Sequence, residues 1–538
     1  MNSCRMIVCF KFVFLMYLNS VTSRLADSEI LEDKDFWYSN ARSEVEKSLQ
    51  NKWNTGQAKN VIMFVGDGMG INTITASRIY KEGEFGKLSF EHFPHVGLMK
   101  TYCVDKQVPD SASTATALFC GVKSNMHTAG VDARVKTEDC EASLSSESKV
   151  DSVIEWAQRA GKHTGFVTTT RITHATPSAL YSHSASRKWE CDDRLPALAM
   201  NQCKDIARQL VEDEPGKNIR VIMGGGRQCM ITNSSFSPRD PEDEWSCKRR
   251  DGKDLVQEWA LDKTRRGYSY KYVTHTEELD MLNVDKTDFL LGIFANGHTK
   301  MEHDRDKSPT GTPSLEQMTS TALQLLMKSK AGFLLVVEGG LIDYAHHRGK
   351  ARRALDETLS FDLAIERTMA LLEERGLLDE TLVLVTADHD HGLSMSGYPN
   401  RGNEIYGIAM PSRIDNVPFT TLTYATGSKD NYKYFRYGSG INREDPSKAD
   451  FASFDYNQQA GILNNEVAHG GGDVPVYATG PMAHLFHGVH EQNYVAFAVA
   501  YAAKIGPYSN ACIKSSSLLF ILSVAISLLV FQKRFVFS

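Results

Sequence analysis

The sequence has 538 residues, of which 42% are hydrophobic and 23% are charged, and this balance is typical of a globular protein with a sizeable core. Its formal charge of -6 at pH 7 argues against a nucleic-acid partner, which would need a basic surface. We therefore expect no nucleic-acid partner and a small molecule as the substrate.

The first residues have the pattern of a secretory signal peptide. Arg5 precedes an apolar run that ends near Leu18, and Val21 and Ser23 follow as residues of a cleavage region. We predict that residues 1–23 are removed. A membrane anchor is the alternative, although the run is short for a span.

The next pattern predicts a helix outside the core. Residues 29–53 have the spacing of an amphipathic helix and include several aromatic residues. We predict a helical arm over residues 24–56, ahead of a catalytic domain that spans residues 57–510.

The core is predicted from apolar runs that alternate with helical patterns. Uniformly apolar runs are typical of strands buried on both faces, and they occupy residues 61–65, 165–170, 221–226, 333–340 and 382–390. Residues 352–376 have helical spacing and end at a glycine. We predict an α/β fold with a mainly parallel central sheet and helices on both faces.

Periodicity becomes weak between about residues 396 and 465. This segment is rich in Tyr, Asn, Gly and Ser. We predict a loop-rich subdomain inserted into the catalytic domain.

Residues 109–121, PDSASTATALFCG, contain four hydroxyl side chains within six positions. One interpretation is a nucleophile, and the other is a closely packed helix start at which Asp110 or Ser111 caps the helix. The segment alone favours the helix start, because it contains no base that would activate a serine.

Carboxylates and imidazoles follow three predicted strands, at the end where open α/β sheets bind ligands. They are Asp67, then Glu338, Asp343, His346 and His347, then Asp388, His389, Asp390 and His391; a later segment adds Glu466, His469 and Asp473. Each residue alone is explained by capping or hydrogen bonding, but several buried carboxylates together require cations.

The side chains also indicate which metals to expect. Asp and His ligands without Cys suit a catalytic zinc ion, and Asp, Glu and hydroxyl oxygens suit magnesium. A zinc ion lowers the pKa of bound water to about 7, and a coordinated serine would be activated in the same way. A metal ion therefore supplies the activation that residues 109–121 lack.

From KNVIMFVGDGMG (59–70) to GPMAHLFHGVHEQNY (480–494) the sequence resembles the animal alkaline phosphatases, and VPDSASTATALFCGVK (108–123) matches their phosphoserine segment. The resemblance implies hydrolysis of a broad range of phosphate monoesters through a phosphoserine, with two zinc ions and one magnesium ion. It also implies activity at alkaline pH and a homodimer to which the N-terminal helix contributes.

The resemblance further implies the role of each site residue. The nucleophile is Ser111, and Arg187 binds the substrate phosphate. The ligands of the first zinc ion are Asp343, His347 and His469. Those of the second are Asp67, Ser111, Asp388 and His389. The magnesium ligands are Asp67, Thr176 and Glu338, with His174 close by through a water molecule, while His346, Asp390 and His391 have no ligand role.

Covalent features are expected at five further positions. The resemblance implies a disulfide between Cys140 and Cys203, and we pair Cys229 with Cys247 as a second bond. The sequon at Asn233 predicts N-glycosylation in an exported protein.

One metal site of the vertebrate members is incomplete in this sequence. Glu242 matches an acid of their calcium site, but Ala295 and Thr312 stand where two other acids are expected. We therefore predict no calcium site.

The C-terminal segment predicts a lipid anchor. The apolar run over residues 518–531 is shorter than the roughly 20 residues of a spanning helix, and it follows small and polar residues. We predict a glycosylphosphatidylinositol (GPI) anchor at Asn510, with Ser509 as the alternative, removal of residues 511–538, and a location on the extracellular face of the cell membrane. A transmembrane helix is the other interpretation, because Lys533 and Arg534 follow the run.

Three other functions are compatible with the same fold. A phosphodiesterase or a sulfatase would belong to the same superfamily, but the sequence has no CxPSR-like sulfatase segment. An inactive surface receptor is the third, and the intact set of predicted ligands argues against it. The sequence does not identify the physiological substrate.

Overall fold

The computed structural model describes residues 31–244 and 246–509. The predicted signal peptide, Asn510 and the C-terminal apolar run lie outside the described residues. Among the described residues, 31–52 belong to one compact unit and those from Trp53 to Ser509 belong to a second.

The first unit contains one helix, α1 (Lys34–Gln50). Asp33 caps it, since its carboxylate accepts hydrogen bonds from the backbone N–H groups of Asp35 and Phe36, both at 3.0 Å. None of its residues is buried.

The second unit is built on a ten-stranded sheet. In chain order its strands are β1 (Asn60–Gly66), β2 (His95–Lys100), β3 (His163–Arg171), β4 (Val221–Gly225), β5 (Tyr270–Val273), β6 (Phe289–Ile293), β7 (Phe333–Gly339), β8 (Thr381–Ala387), β18 (Val474–Thr479) and β19 (Gly488–Glu491). Their order across the sheet is β19-β2-β18-β8-β1-β7-β3-β4-β6-β5. Only β18 runs antiparallel to its neighbours, so the predicted, mainly parallel sheet is confirmed.

The predicted apolar runs coincide with β1, β3, β4, β7 and β8. Every residue of β1, β7 and β8 is buried, because these central strands are covered on both faces. In register, Val61 of β1 faces Leu334 of β7 on one side and Leu382 of β8 on the other. Side chains of this kind form the main hydrophobic core.

Helices connect the strands. They are α2 (Ile71–Glu82), α3 (Ser111–Cys120), α4 (Cys140–Leu144), α5 (Val153–Arg159), α6 (Ala175–Ser178), α7 (Ile206–Glu212), α8 (Arg227–Met230), α9 (Leu255–Arg265), α10 (Thr276–Asp280), α11 (Leu315–Leu326), α12 (Leu341–His347), α13 (Ala351–Glu374) and α14 (Tyr494–Ala503). The predicted helix at 352–376 corresponds to α13. No helix within the described ranges is long and apolar enough to cross a membrane.

The segment from 396 to 465 contains short strands joined by loops. They are β11 (Ile408–Pro411), β12 (Pro418–Thr420), β13 (Leu422–Gly427), β14 (Tyr434–Tyr437), β15 (Gly440–Arg443) and β16 (Ala460–Leu463). Two further short strands, β9 (Asp390–His391) and β10 (Leu393–Met395), precede it, and β17 (His469–Gly470) follows it. The sheet β10-β13-β16 has its own small core, which includes Leu393, Leu422 and Tyr424.

Two disulfides are present among the described residues. One joins Cys140 to Cys203, as the family resemblance implied. The other joins Cys191 to Cys247, with 5.8 Å between the Cα atoms, so the pairing of Cys229 with Cys247 is wrong. Cys191, Cys229 and Cys247 lie in one buried cluster, and sequence spacing alone does not choose between the pairs.

Candidate active site

The candidate site lies at the carboxyl ends of β8, β1 and β7, which are adjacent in the sheet. Asp67 follows β1, Glu338 is near the end of β7, and Asp388 follows β8. Because parallel strands end at the same edge, three carboxylates that are far apart in sequence lie side by side. All three are buried.

The first group of donor atoms comprises Asp343, His347, His391 and His469, whose ligand atoms all lie within 4.8 Å of one another. One turn of α12 places Asp343 and His347 on the same face, with 3.3 Å between Oδ2 and Nε2. The pairing of β17 with β9 brings His469 beside His391. His469 Nε2 is 3.0 Å from His347 Nε2 and 3.4 Å from Asp343 Oδ1.

His391 is a member of this group that the sequence analysis left without a ligand role. Its Nε2 lies 3.4 Å from Asp343 Oδ1. It lies on β9, whose two-residue ladder with β17 places it beside His469, and no local sequence pattern indicates such a short ladder.

The second group surrounds His389. Its Nε2 lies 3.2 Å from Asp67 Oδ1, 3.4 Å from Asp388 Oδ2 and 3.2 Å from Ser111 Oγ. Ser111 Oγ is also 3.4 Å from Asp67 Oδ1. The structure therefore brings together the four residues expected around the second zinc ion.

The helix start expected in residues 109–121 is present, and it places Ser111 beside the second group of donors. Asp110 caps α3, and its carboxylate accepts hydrogen bonds from the backbone N–H groups of Ala112 and Ser113. Ser111 is the first residue of α3 and is only 1% exposed, and its hydroxyl points to His389 and Asp67. The helix start itself positions the candidate nucleophile.

A third group lies around Glu338, beside Asp67 and His174. Glu338 Oε2 accepts hydrogen bonds from Thr168 Oγ1 at 2.5 Å and Thr170 Oγ1 at 3.2 Å. Thr176, on the short helix α6, is buried. Asp67 Oδ2 and Glu338 Oε1 are buried and have no hydrogen-bond partner among the described residues, so these oxygens remain available to a cation.

Arg187 lies next to these groups. Its Nη1 donates to Asp110 Oδ2 at 3.1 Å, and its Nη2 lies 3.2 Å from His174 Nε2. Although burial opposes it, hydrogen bonding from His127 and the charge of Arg187 hold the pKa of Asp110 well below its usual value. Asp110 therefore stays ionised and fixes the guanidinium.

The titration of the site reflects crowded negative charge. Burial and the charges of Asp388 and Asp343 raise the pKa of Asp67 well above its usual value. Burial raises the pKa of Glu338 to about 7. Against the effect of burial, the charges of Asp388 and Asp67 raise the pKa of His389 to about 10. Such a set of oxygen and imidazole donors fits bound divalent cations, which would neutralise the carboxylates.

Comparison with known proteins identifies the family. A family model described as alkaline phosphatase matches residues 58–505. The chain belongs to the alkaline phosphatase family. It is 45% identical over 512 residues to the tissue-nonspecific alkaline phosphatase isozyme of Gallus gallus, which covers 93% of this chain and 95% of the relative.

Other alkaline phosphatases are similar over most of the chain. The membrane-bound alkaline phosphatase of Bombyx mori is 38% identical over 513 residues, covering 93% of this chain and 90% of its own. The structure of Thermus thermophilus alkaline phosphatase has the same fold, with a TM-score of 0.58, 22% identity, and coverage of 85% of this chain and 93% of its own. The family predicted from the sequence is confirmed, and the chain is a metal-dependent phosphatase that acts on phosphate monoesters.

Proposed function

We propose that the chain hydrolyses phosphate monoesters through a phosphoserine at Ser111. The observation that carries this proposal is the position of Ser111 Oγ, which lies 3.2 Å from His389 Nε2 and 3.4 Å from Asp67 Oδ1 at the N-terminus of α3. Arg187 lies beside the same helix start through its contact with Asp110.

We assign two zinc ions and one magnesium ion to the three groups of donors. Asp343, His347 and His469 would hold the first zinc ion, and Asp67, Ser111, Asp388 and His389 would hold the second. Asp67, Thr176 and Glu338 would hold magnesium, with His174 beside it. When bound, these ions lower the pKa of a coordinated hydroxyl or water and stabilise negative charge on the phosphoryl and leaving oxygens.

The residues of the chain bind and orient the phosphate. The planar guanidinium of Arg187 donates to two phosphate oxygens at once. Ser111 Oγ then attacks the phosphorus, so a serine–phosphate bond forms while the bond to the leaving alkoxide breaks. The backbone N–H groups at the N-terminus of α3 stabilise the negative charge. Attack of water on the phosphoserine releases inorganic phosphate and restores Ser111.

Because these contacts are all to the phosphate group, we expect a broad range of monoesters. The test compares turnover of p-nitrophenyl phosphate with that of bis-p-nitrophenyl phosphate, each with and without a chelator. Turnover of the monoester that the chelator abolishes supports the proposal. Preference for the diester favours the phosphodiesterase alternative, and no turnover of either favours an inactive receptor.

We propose a homodimer in which β2 and β19 contribute to the interface. These strands lie at one edge of the sheet, and their exposed face combines apolar side chains with the Lys100–Glu491 ion pair: Val96 is 46% exposed, Leu98 38% and Val489 55%. Helix α1, which has no buried residue, would contact the partner subunit. Sedimentation of the wild type and of Leu98→Asp tests this, because a charge on the face should yield monomers.

We propose an extracellular, GPI-anchored protein, glycosylated at Asn233. Asn233 is exposed in a loop, which supports glycosylation. The residues around Asn510 lie outside the described part of the chain, so the proposal on the anchor rests on their sequence. Release of activity from intact cells by a phosphatidylinositol-specific phospholipase would support it, whereas activity that stays on the membrane together with detection of residues 535–538 would establish a transmembrane helix.

We also propose that the chain has no calcium site at Glu242. Ala295 has no carboxylate to offer, and its backbone carbonyl accepts hydrogen bonds from the N–H groups of Gly226 and Arg227, each at 3.0 Å. Glu242 is paired with Lys248 at 2.9 Å. Calcium content measured on the purified protein tests this proposal.

A further inference from the structure

Three histidines lie together at the edge of the sheet, outside the candidate active site. His95 begins β2, His484 lies in the short 3-10 helix Ala483–Phe486, and His487 follows that helix just before β19. Pairing of Gly488 with Gly97 places the start of β19 beside the start of β2. We call these residues the edge histidine cluster.

A glycine allows this close approach. A Cβ atom at position 97 would collide with the backbone carbonyl of Phe486. The turn that carries His484 and His487 therefore packs directly on β2. The side chain of His95 points away from the apolar outer face of that strand and is only 5% exposed.

The two imidazoles of His95 and His487 are as close as the metal-binding imidazoles of the active site. His95 Nδ1 lies 2.9 Å from His487 Nε2, and the ring centroids are 4.7 Å apart. In the active site His469 Nε2 lies 3.0 Å from His347 Nε2, with centroids 4.8 Å apart. Two ring nitrogens at this distance share either a proton or a cation.

His484 is the third imidazole of the cluster. Its ring is stacked on Trp53, with 4.5 Å between centroids, and its centroid lies 6.4 Å from that of His95. Its Nδ1 is buried and has no hydrogen-bond partner among the residues that the structure describes. A rotation of this ring toward His95 would bring that nitrogen close enough to bind the same ion as His95 and His487.

Two of the three imidazoles have lowered pKa values. Burial and the neighbouring His487 lower the pKa of His95 to about 4, and burial lowers the pKa of His484. Both rings are therefore neutral at pH 7, and each has one unprotonated nitrogen that can serve as a metal ligand. His487 is exposed, so an ion has access from solvent.

We propose that His95 and His487, joined by His484 after a side-chain rotation, bind one divalent late transition-metal ion in addition to those of the active site. Imidazole ligands without carboxylates select zinc, copper or nickel over magnesium or calcium. The site is distinct from the catalytic groups, and it does not depend on the proposed chemistry at Ser111.

The test adds zinc chloride to the metal-loaded enzyme at pH 7.5 and follows binding by calorimetry, with zinc counted by mass spectrometry after gel filtration. We expect the wild type to bind one equivalent per chain more than His95→Phe and His487→Ala, while all three turn over p-nitrophenyl phosphate equally. The matched control is His92→Ala, which removes an exposed histidine three residues before His95.

His487 is exposed, so His487→Ala should fold normally. It can therefore test the proposal even if His95→Phe fails to fold. The proposal is overturned if the wild type binds no additional equivalent, if the folded variants keep it, or if His92→Ala loses it too.

Discussion

The guanidinium of Arg187 is held by the carboxylate of Asp110, at 3.1 Å between Nη1 and Oδ2. Asp110 also caps the helix on which Ser111 stands, so one carboxylate sets the position of both groups. Asp110 therefore positions both the candidate nucleophile and the candidate phosphate-binding arginine.

Asp110→Asn tests this positioning role. We expect KM for p-nitrophenyl phosphate to rise by about 10- to 100-fold, because a hydrogen bond to a charged group contributes roughly 1.5–3 kcal/mol. Asparagine keeps the helix cap, so the Tm should change little. An unchanged KM would show that Arg187 is positioned without Asp110.

Ser111→Ala should lower kcat by at least about a thousandfold, since loss of a nucleophile removes the covalent route. Metal content should stay near that of the wild type, because Asp67, Asp388 and His389 remain. The matched control is Ser113→Ala. The hydroxyl of Ser113 lies on the same helix but donates to Asp110 at 2.8 Å. Near-normal turnover of Ser111→Ala, with a phosphoserine trapped elsewhere, would refute the assignment.

Removal of the metals should abolish activity and lower the Tm by about 5–10 °C, because buried carboxylates are then left without cations.

The pKa of Glu338 is raised from 4.5 to about 7 in the folded state. A carboxyl group with a raised pKa stabilises the folded protein at a pH below its pKa in the unfolded chain. This stabilisation is lost as the pH rises through about 7. The Tm of the metal-free protein should therefore fall between pH 5 and pH 8, and calorimetry that finds a constant Tm would contradict the inferred charge crowding.

Glu357, which lies away from the active site, should make the stability of the folded protein depend on pH. Burial raises its pKa from 4.5 to about 8, so its stabilising contribution is lost as the pH rises from about 4.5 through about 8. Glu357→Gln should reduce the pH dependence of the free energy of unfolding of the metal-loaded enzyme over this range, by up to about 1.4 kcal/mol per pH unit, and its Tm should vary less with pH. Glu366→Gln changes an exposed residue of the same helix and serves as the control. Equal slopes in both variants would show that Glu357 does not titrate in this range.

The central part of the fold was predictable because burial on both faces leaves an uninterrupted apolar run, as in β1 and β7. Strand β2, which lies between β19 and β18, alternates buried and exposed residues and was not predicted. The strands of the 396–465 segment are three to six residues long and partly exposed, so they carry little periodicity.

The candidate site was predictable for a related reason. Asp67 and Asp388 directly follow apolar strands, so their position at the sheet edge can be inferred from the sequence. The place of His391 beside His469 depends on the β9–β17 ladder, and the partner of Cys247 depends on how three buried cysteines pack. Both are long-range contacts that no local pattern encodes.

The position of β18 between β8 and β2 means that β2 can join the central strands only when β18 is present. Residues 95–100, which form β2, are synthesised early. They can pair with β18 only after residues 474–479 have been synthesised. Until then β8 has an uncovered edge. A chain that stops before β18 would therefore leave the edge of β8 open to pairing with other chains and to aggregation.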